Sequence, residues 1–216
     1  MSYHSTISHG NKQRGVVLFF TLIALLAMSL AAVALIRSVD TSTLIAGNLA
    51  FKQSATNAGD TGTEAAVAWL ANTEAAFLGT NVLNDMAHPF NTTGGLNPSN
   101  LNAGYYSNAD PTVSLTDGTG ILWNDADSSP EIVSSTGNKV RYVIQRMCRV
   151  INTPVQNAQC LFSGATEDKN GQSIPLPQDI CQGAGCPVAG QTPQIRITTR
   201  VECFNNTFSY IQAFVY

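Results

Sequence analysis

Charge is scarce in this sequence: Asp, Glu, Lys and Arg together make up 12% of its 216 residues, about half the usual share. The eleven Lys and Arg residues are spread thinly through a chain of net charge −3. That excludes the clustered basic surface that binding to phosphate backbones requires, so no nucleic-acid partner is expected. Histidine is scarcer still, with only His4, His9 and His88. A Ser-His-Asp or Cys-His constellation needs a positioned imidazole, and His88 stands before Pro89 with no nucleophile signature beside it. Glycine patterns that cradle phosphate are missing too, because Gly183-Ala184-Gly185 runs into a cysteine and a proline, not a helix. The expectation is a protein that is not an enzyme and carries no cofactor.

The five cysteines lack a C-x-x-C knuckle and have no histidine near them, which argues against zinc. All fall in the last third, at Cys148, Cys160, Cys181, Cys186 and Cys203. Disulfides in an oxidising compartment are the better reading. Proximity pairs Cys148 with Cys160 and Cys181 with Cys186 and leaves Cys203 over, while other connectivities stay open. One further cluster, Asn124 to Glu131, offers oxygen ligands through Asp125, Asp127 and Glu131. It lacks the glycine and the length of an EF-hand loop, so a solvated acidic turn is expected there, with calcium as the weaker alternative.

Against these absences stands one long apolar run. From Val16 to Ile36 the chain reads VVLFFTLIALLAMSLAAVALI without a charge. As a helix it would span roughly 31 Å, the hydrocarbon thickness of a bilayer. A buried core helix would need an apolar shell on every side, more than a chain of this size supplies. Lys12 and Arg14 precede the run and no acid does, so the N-terminal end is expected in the cytoplasm and all that follows Ile36 outside. An ordinary secretory signal has a shorter apolar core followed by a small-residue cleavage site. Here the sequence beyond Ile36 stays compatible with helix instead.

Gln13-Arg14-Gly15 followed by Val16-Val17-Leu18-Phe19-Phe20 resembles a type IV prepilin leader. The resemblance implies cleavage between Gly15 and Val16 by a prepilin peptidase, and N-methylation at Val16. Where major pilins carry a glutamate at the fifth mature position, this chain has Phe20. In the family that carboxylate meets the N-terminal amine of a neighbouring subunit, and tip subunits and PilX-type minor pilins lack it. Ala46-Gly47-Asn48-Leu49 with Glu64-Ala65-Ala66, and Ile195 to Arg200, also resemble PilX-type minor pilins. The likeness is good over about the first 80 residues, fair over the last 25 and slight between.

It implies a minor pilin that helps prime or cap a type IV pilus at its tip, supporting pilus assembly, adhesion and twitching motility. Implied partners are the inner membrane, the peptidase, other minor pilins, the major pilin and a large tip adhesin. The implied location is a single pass through the bacterial inner membrane with a periplasmic head, then the pilus at the cell surface. A tip-type pseudopilin of type II secretion shares every N-terminal feature. A signal-anchored exported protein unrelated to pili is the alternative from another class.

The fold expected is α+β and pilin-like: a long N-terminal helix, half membrane-inserting and half amphipathic, packed on a C-terminal antiparallel sheet with long disulfide-stapled loops. Its parts are a leader over 1–15, the apolar half-helix over 16–36, an amphipathic helix over 37–79, and a head over 80–216. Leu44, Ile45, Leu49, Phe51 and Ala55 form a weak apolar stripe. Gly59 and Gly62, each costing about 1 kcal/mol against alanine, predict a kink or restart there, with Thr61 and Glu64 at capping-box spacing. Ala66, Trp69, Leu70, Thr73 and Phe77 form a second helical face. Residues 80–138 read as long loops with short strands. In 139–216, Val140, Tyr142 and Ile144 alternate with Arg141, Val143 and Gln145, and Ile195 to Cys203 alternates likewise. Asn205-Asn206 makes a turn into Thr207–Val215, where aromatics recur at every second or fourth residue.

Overall fold

The structure, a computed structural model, describes residues 15–92, 104–164, 184, 186–187 and 191–216. The chain divides into two compact units, Met1–Phe51 and Lys52–Tyr216. Helix α1, Val16–Ala76, is continuous across the division.

In the first unit no other described residue covers the helix. Side chains from Val16 to Phe51 are exposed, Gly47 alone being half-buried. The sequence explains why it is helical anyway. Leu, Ala and Met dominate the run, and the hydroxyls that would otherwise compete for the backbone bond to it within the helix. Thr21 Oγ1 donates to the Leu18 carbonyl at 2.8 Å and Ser29 Oγ to the Leu25 carbonyl at 2.8 Å. The triplet Thr41-Ser42-Thr43 does the same, each hydroxyl bonding four residues back at 2.9 Å. Among the described residues α1 is the one helix long and apolar enough to cross a membrane. The stripe expected at Leu44, Ile45, Leu49 and Phe51 is fully exposed, and only Ala55, in the second unit, is buried.

The second unit is α+β. Among the described residues a short helix α2 (Pro89–Thr92) and seven strands follow α1: β1 (Tyr105–Tyr106), β2 (Ile132–Val133), β3 (Lys139–Arg146), β4 (Phe162–Ser163), β5 (Thr192–Pro193), β6 (Ile195–Cys203) and β7 (Thr207–Val215). The main sheet runs β1-β3-β6-β7, with β2 also on β3. Strands β3, β6 and β7 are antiparallel neighbours, Ile144 opposite Ile197 and Ile197 opposite Ala213. The expected purely antiparallel sheet is corrected to a mixed one, because β1 pairs parallel to β3, Tyr105 opposite Ile144. The segment between β1 and β3 is long enough to cross over, so no hairpin dictates direction. Strands β1 and β2 share one edge of β3 at opposite ends. A separate pair, β4 and β5, closes the proline-rich region.

The helical face on the sheet is built from small residues. Ala55, Ala58, Gly59, Gly62, Ala66, Leu70 and Thr73 are buried at helical spacing. Ala55 and Ala58 pack with Val140 and Val201, and Ala66 and Leu70 with Tyr142, Ile144 and Ile197. The expected restart at the glycines does not occur: α1 is one unbroken helix through them. Thr61 is no cap either, since its hydroxyl bonds back to the Asn57 carbonyl at 3.2 Å. The glycines instead let the sheet approach. A Cβ on Gly62 would lie 2.6 Å from both Val140 Cγ1 and Thr199 Cγ2, and one on Gly59 would strike Ile211 Cδ1.

These two contacts differ in kind, and that gives a prediction. Val140 and Thr199 are β-branched and cannot turn their methyl groups away cheaply, whereas Ile211 Cδ1 is the free end of a flexible chain. Gly62→Ala is expected to cost about 2 kcal/mol by overpacking, despite its better helix propensity. Gly59→Ala should be close to neutral, with roughly 1 kcal/mol of propensity offsetting a rotamer change. Urea unfolding of the two variants tests this, and equal losses would contradict it.

Strand β3 is buried on both faces. On the side away from α1, Val143 joins Leu115, Ile121 and Trp123 in a second small core. The loop region thus folds over the sheet. Trp123 has φ +53°, and its indole nitrogen donates to the Leu115 carbonyl at 2.8 Å. Several Asn and Asp residues of the region 80–138 make its turns. Asn81, Asp85, Asp110, Asp117 and Asn124 each accept, through a side-chain oxygen, the backbone N–H two residues on, the arrangement that makes these residues turn formers.

Candidate functional site

At the start of α1, Gly15 is exposed and has φ +131°. An L side chain rarely adopts that angle, while glycine does so freely. The helix begins on the next residue, and the Phe19 N–H donates to the Gly15 carbonyl at 3.4 Å. Space around the Gly15 Cα is open. The first helical turn carries no acid, and Val16 to Phe20 point five apolar side chains into solvent. The junction singled out in the sequence is therefore an accessible, non-helical glycine against the first residue of an apolar helix.

In the head, Cys148 and Cys160 form a disulfide, as their proximity suggested. They also face each other as an isolated antiparallel bridge, so the bond ties the end of β3 to the turn that follows. Cys186 is disulfide-bonded, and Cys181, its expected partner, lies outside the described residues. Cys203 is a free thiol. It is half-buried beside Ala55, Ala58, Val140 and Val201, and burial pushes its pKa up, which keeps it in the unreactive thiol form.

The carboxylates of the calcium candidate are engaged by protein groups, and Arg141 lies near two of them, Asp125 and, at 4.0 Å, Glu131. Asp125 pairs with Arg141 at 2.7 Å, Asp127 Oδ2 accepts the Leu122 N–H at 3.0 Å, and Glu131 lies 3.4 Å from Lys139. Among the described residues no group of three or more His, Cys, Asp and Glu side chains is placed to hold a metal.

Arg146, which the sequence reading gave no role, lies buried in the head. Its guanidinium reaches three neutral acceptors: Nε to the Ser107 carbonyl at 3.1 Å, one terminal nitrogen to Asn91 Oδ1 at 2.6 Å, the other to the Thr153 carbonyl at 2.7 Å. No carboxylate is among these partners, and burial lowers its pKa. Asn91 also donates to the Val82 and Asp85 carbonyls at 2.9 and 2.7 Å. The pair pins α2 and the turns before it to the sheet.

His88, read as a loop histidine, is wholly buried. Its Nδ1 accepts the Phe90 N–H at 3.2 Å, and Nε2 lies 3.2 Å from Glu74 Oε2, in ion-pair range but poorly aligned for a hydrogen bond. Trp69, Phe90 and Tyr105 stack beside it with centroids 5.0 to 5.9 Å apart. The expected packing of Trp69 is borne out, whereas Phe77 is off the helix and exposed. The phase of β3 carried a signal for Arg146, which continues the inward series Val140, Tyr142, Ile144. Nothing in the local sequence announced His88. Compared with known proteins, the chain matches no family model, no curated protein and no solved structure.

Proposed function

We propose that this chain is a minor pilin of the PilX type, cut between Gly15 and Val16, whose apolar half-helix anchors it in the inner membrane and later enters a type IV pilus. The observation that carries the reading is the junction itself: an open, non-helical glycine immediately ahead of an uninterrupted apolar helix. A peptidase working at the cytoplasmic membrane face needs an extended, small residue at the cut and leaves the helix on the product. The head supports the same reading, since the helix continues as the small-residue face over which β3, β6 and β7 are laid. Phe20 at the fifth mature position favours a tip role over a repeating shaft subunit. A buried glutamate in hydrocarbon is useful only where a neighbouring cation meets it. The subunit acts by contact, priming or capping the pilus with other minor pilins, the major pilin and a large tip adhesin.

The test is expression of the full chain with and without a prepilin peptidase, followed by intact mass and N-terminal sequencing. The expected product begins at Val16, N-methylated, only when the peptidase is present. A mature chain starting beyond Ile36, or still at Met1, refutes the proposal. Co-purification with secretion subunits instead of pilus subunits would move the chain to a type II secretion pseudopilus.

A further inference from the structure

We propose that His88 is a proton-operated latch: a second proton on its ring breaks the hydrogen bond that holds the start of α2 and opens the connector between α1 and the sheet.

The geometry leaves the second proton no place. Nδ1 accepts the Phe90 N–H at 3.2 Å, so in the closed state Nδ1 is bare and the ring hydrogen is on Nε2, the nitrogen 3.2 Å from Glu74 Oε2. Protonation adds H⁺ from solvent to the Nδ1 lone pair. Two N–H groups then point at each other, and the Phe90 amide must turn away. The imidazole has no exposed surface through which the new charge could be hydrated, and Glu74, half exposed itself, faces only the Nε2 side, so burial of the charge remains costly.

Charged groups come at His88 from three elements. Glu74 on α1 and Asp85 in the turns favour the imidazolium, and Arg146 on β3 opposes it. Burial opposes it most, and the net effect lowers the pKa of His88 below its ordinary value. Tyr105 on β1 is held neutral, its hydroxyl donating to the Phe90 carbonyl at 3.1 Å. A histidine with a depressed folded pKa contributes its full stability above about pH 6.5, its unfolded value, and loses it as the pH falls below. Arg146 does not titrate in this range, so its bond to Asn91 persists and the opening is local. The connector also lines an open cleft of about 600 Å³ with Glu74, Leu83 and Pro193, whose shape would change with it.

The experiment is peptide-resolved hydrogen exchange on the full chain in detergent micelles between pH 7.5 and 5.0, corrected for intrinsic rates. Protection across residues 77–92 is expected to fall by up to tenfold per pH unit below about 6.5, the slope of one proton, while the β6–β7 pair stays unchanged. In His88→Asn the side-chain oxygen takes the place of Nδ1 and cannot be protonated, so the profile should be flat. Protection that is constant in the parent chain, or that falls alike in His88→Asn, overturns the proposal. Nitrogen NMR of the parent chain reads the same claim without a variant. The neutral Nε2–H tautomer is expected at pH 7.5, and an Nδ1–H tautomer would refute the latch. None of these outcomes depends on whether the chain serves a pilus.

Discussion

Replacing Arg146 by methionine is expected to lower the stability of the head by roughly 3–5 kcal/mol, because three neutral acceptors are left without their donor at about 1–3 kcal/mol each. Methionine fills much of the space, so the cost is polar. The Ser107 and Thr153 carbonyls and Asn91 Oδ1 would all lose a donor at once. Water cannot replace it without opening the packing of Tyr105 and Ile144. Arg146→Lys keeps the charge but has no planar fork for three divergent acceptors, and about 2 kcal/mol is expected. Urea unfolding of the full chain in mild detergent measures both. A methionine variant within about 1 kcal/mol of the parent would show that the cage is satisfied by other donors.

The second large effect concerns Gly15. Its φ of +131° is available to glycine, while an L side chain held there is strained by about 1–3 kcal/mol. Gly15→Leu would leave that conformation, drawing the junction into the helix or bending it another way. If the open glycine is what a peptidase recognises, processing should slow by roughly 10- to 100-fold, the same strain expressed as a rate. Gly47→Ala is the control, because Gly47 lies inside α1 with open space around it and should be processed normally. Pulse-chase of the two precursors decides the matter, and cleavage of Gly15→Leu at the parent rate would remove the conformational basis of the proposal.

Much of the architecture was legible in the sequence because it rests on periodicity and on neighbours in the chain. The helix from Val16, the alternation of β3, β6 and β7, and the Cys148–Cys160 bond all follow from such local information. The failures share one cause. Gly59 and Gly62 read as helix breakers because propensity counts only the local cost, whereas in the fold they are where Val140, Thr199 and Ile211 come closest. The second core on the far face of β3 depends on Trp123 and Leu115 folding back over Val143. The out-of-phase Val143 was its only local trace. Arg146 and Asn91 are partners across 55 positions of sequence, and His88 meets Glu74 through a turn that no pattern marks. Buried polar partnerships of this kind are made by tertiary proximity, which composition and spacing do not encode.

The order in which the chain is made adds a consequence of the sheet topology. The small-residue face of α1 is complete when Ala76 leaves the ribosome, but part of what covers it lies between Ile195 and Val215. At about 5–20 residues per second, the two are separated by on the order of ten seconds of synthesis. During that interval β3 can offer Val140, Tyr142 and Ile144 to the alanine and glycine surface, but not the Ile197, Val201 and Ile211 that complete its cover. β6 and β7 thus complete a cover that β3 begins, and losing the nine-residue β7 would leave Gly59 without the Ile211 side chain that meets it.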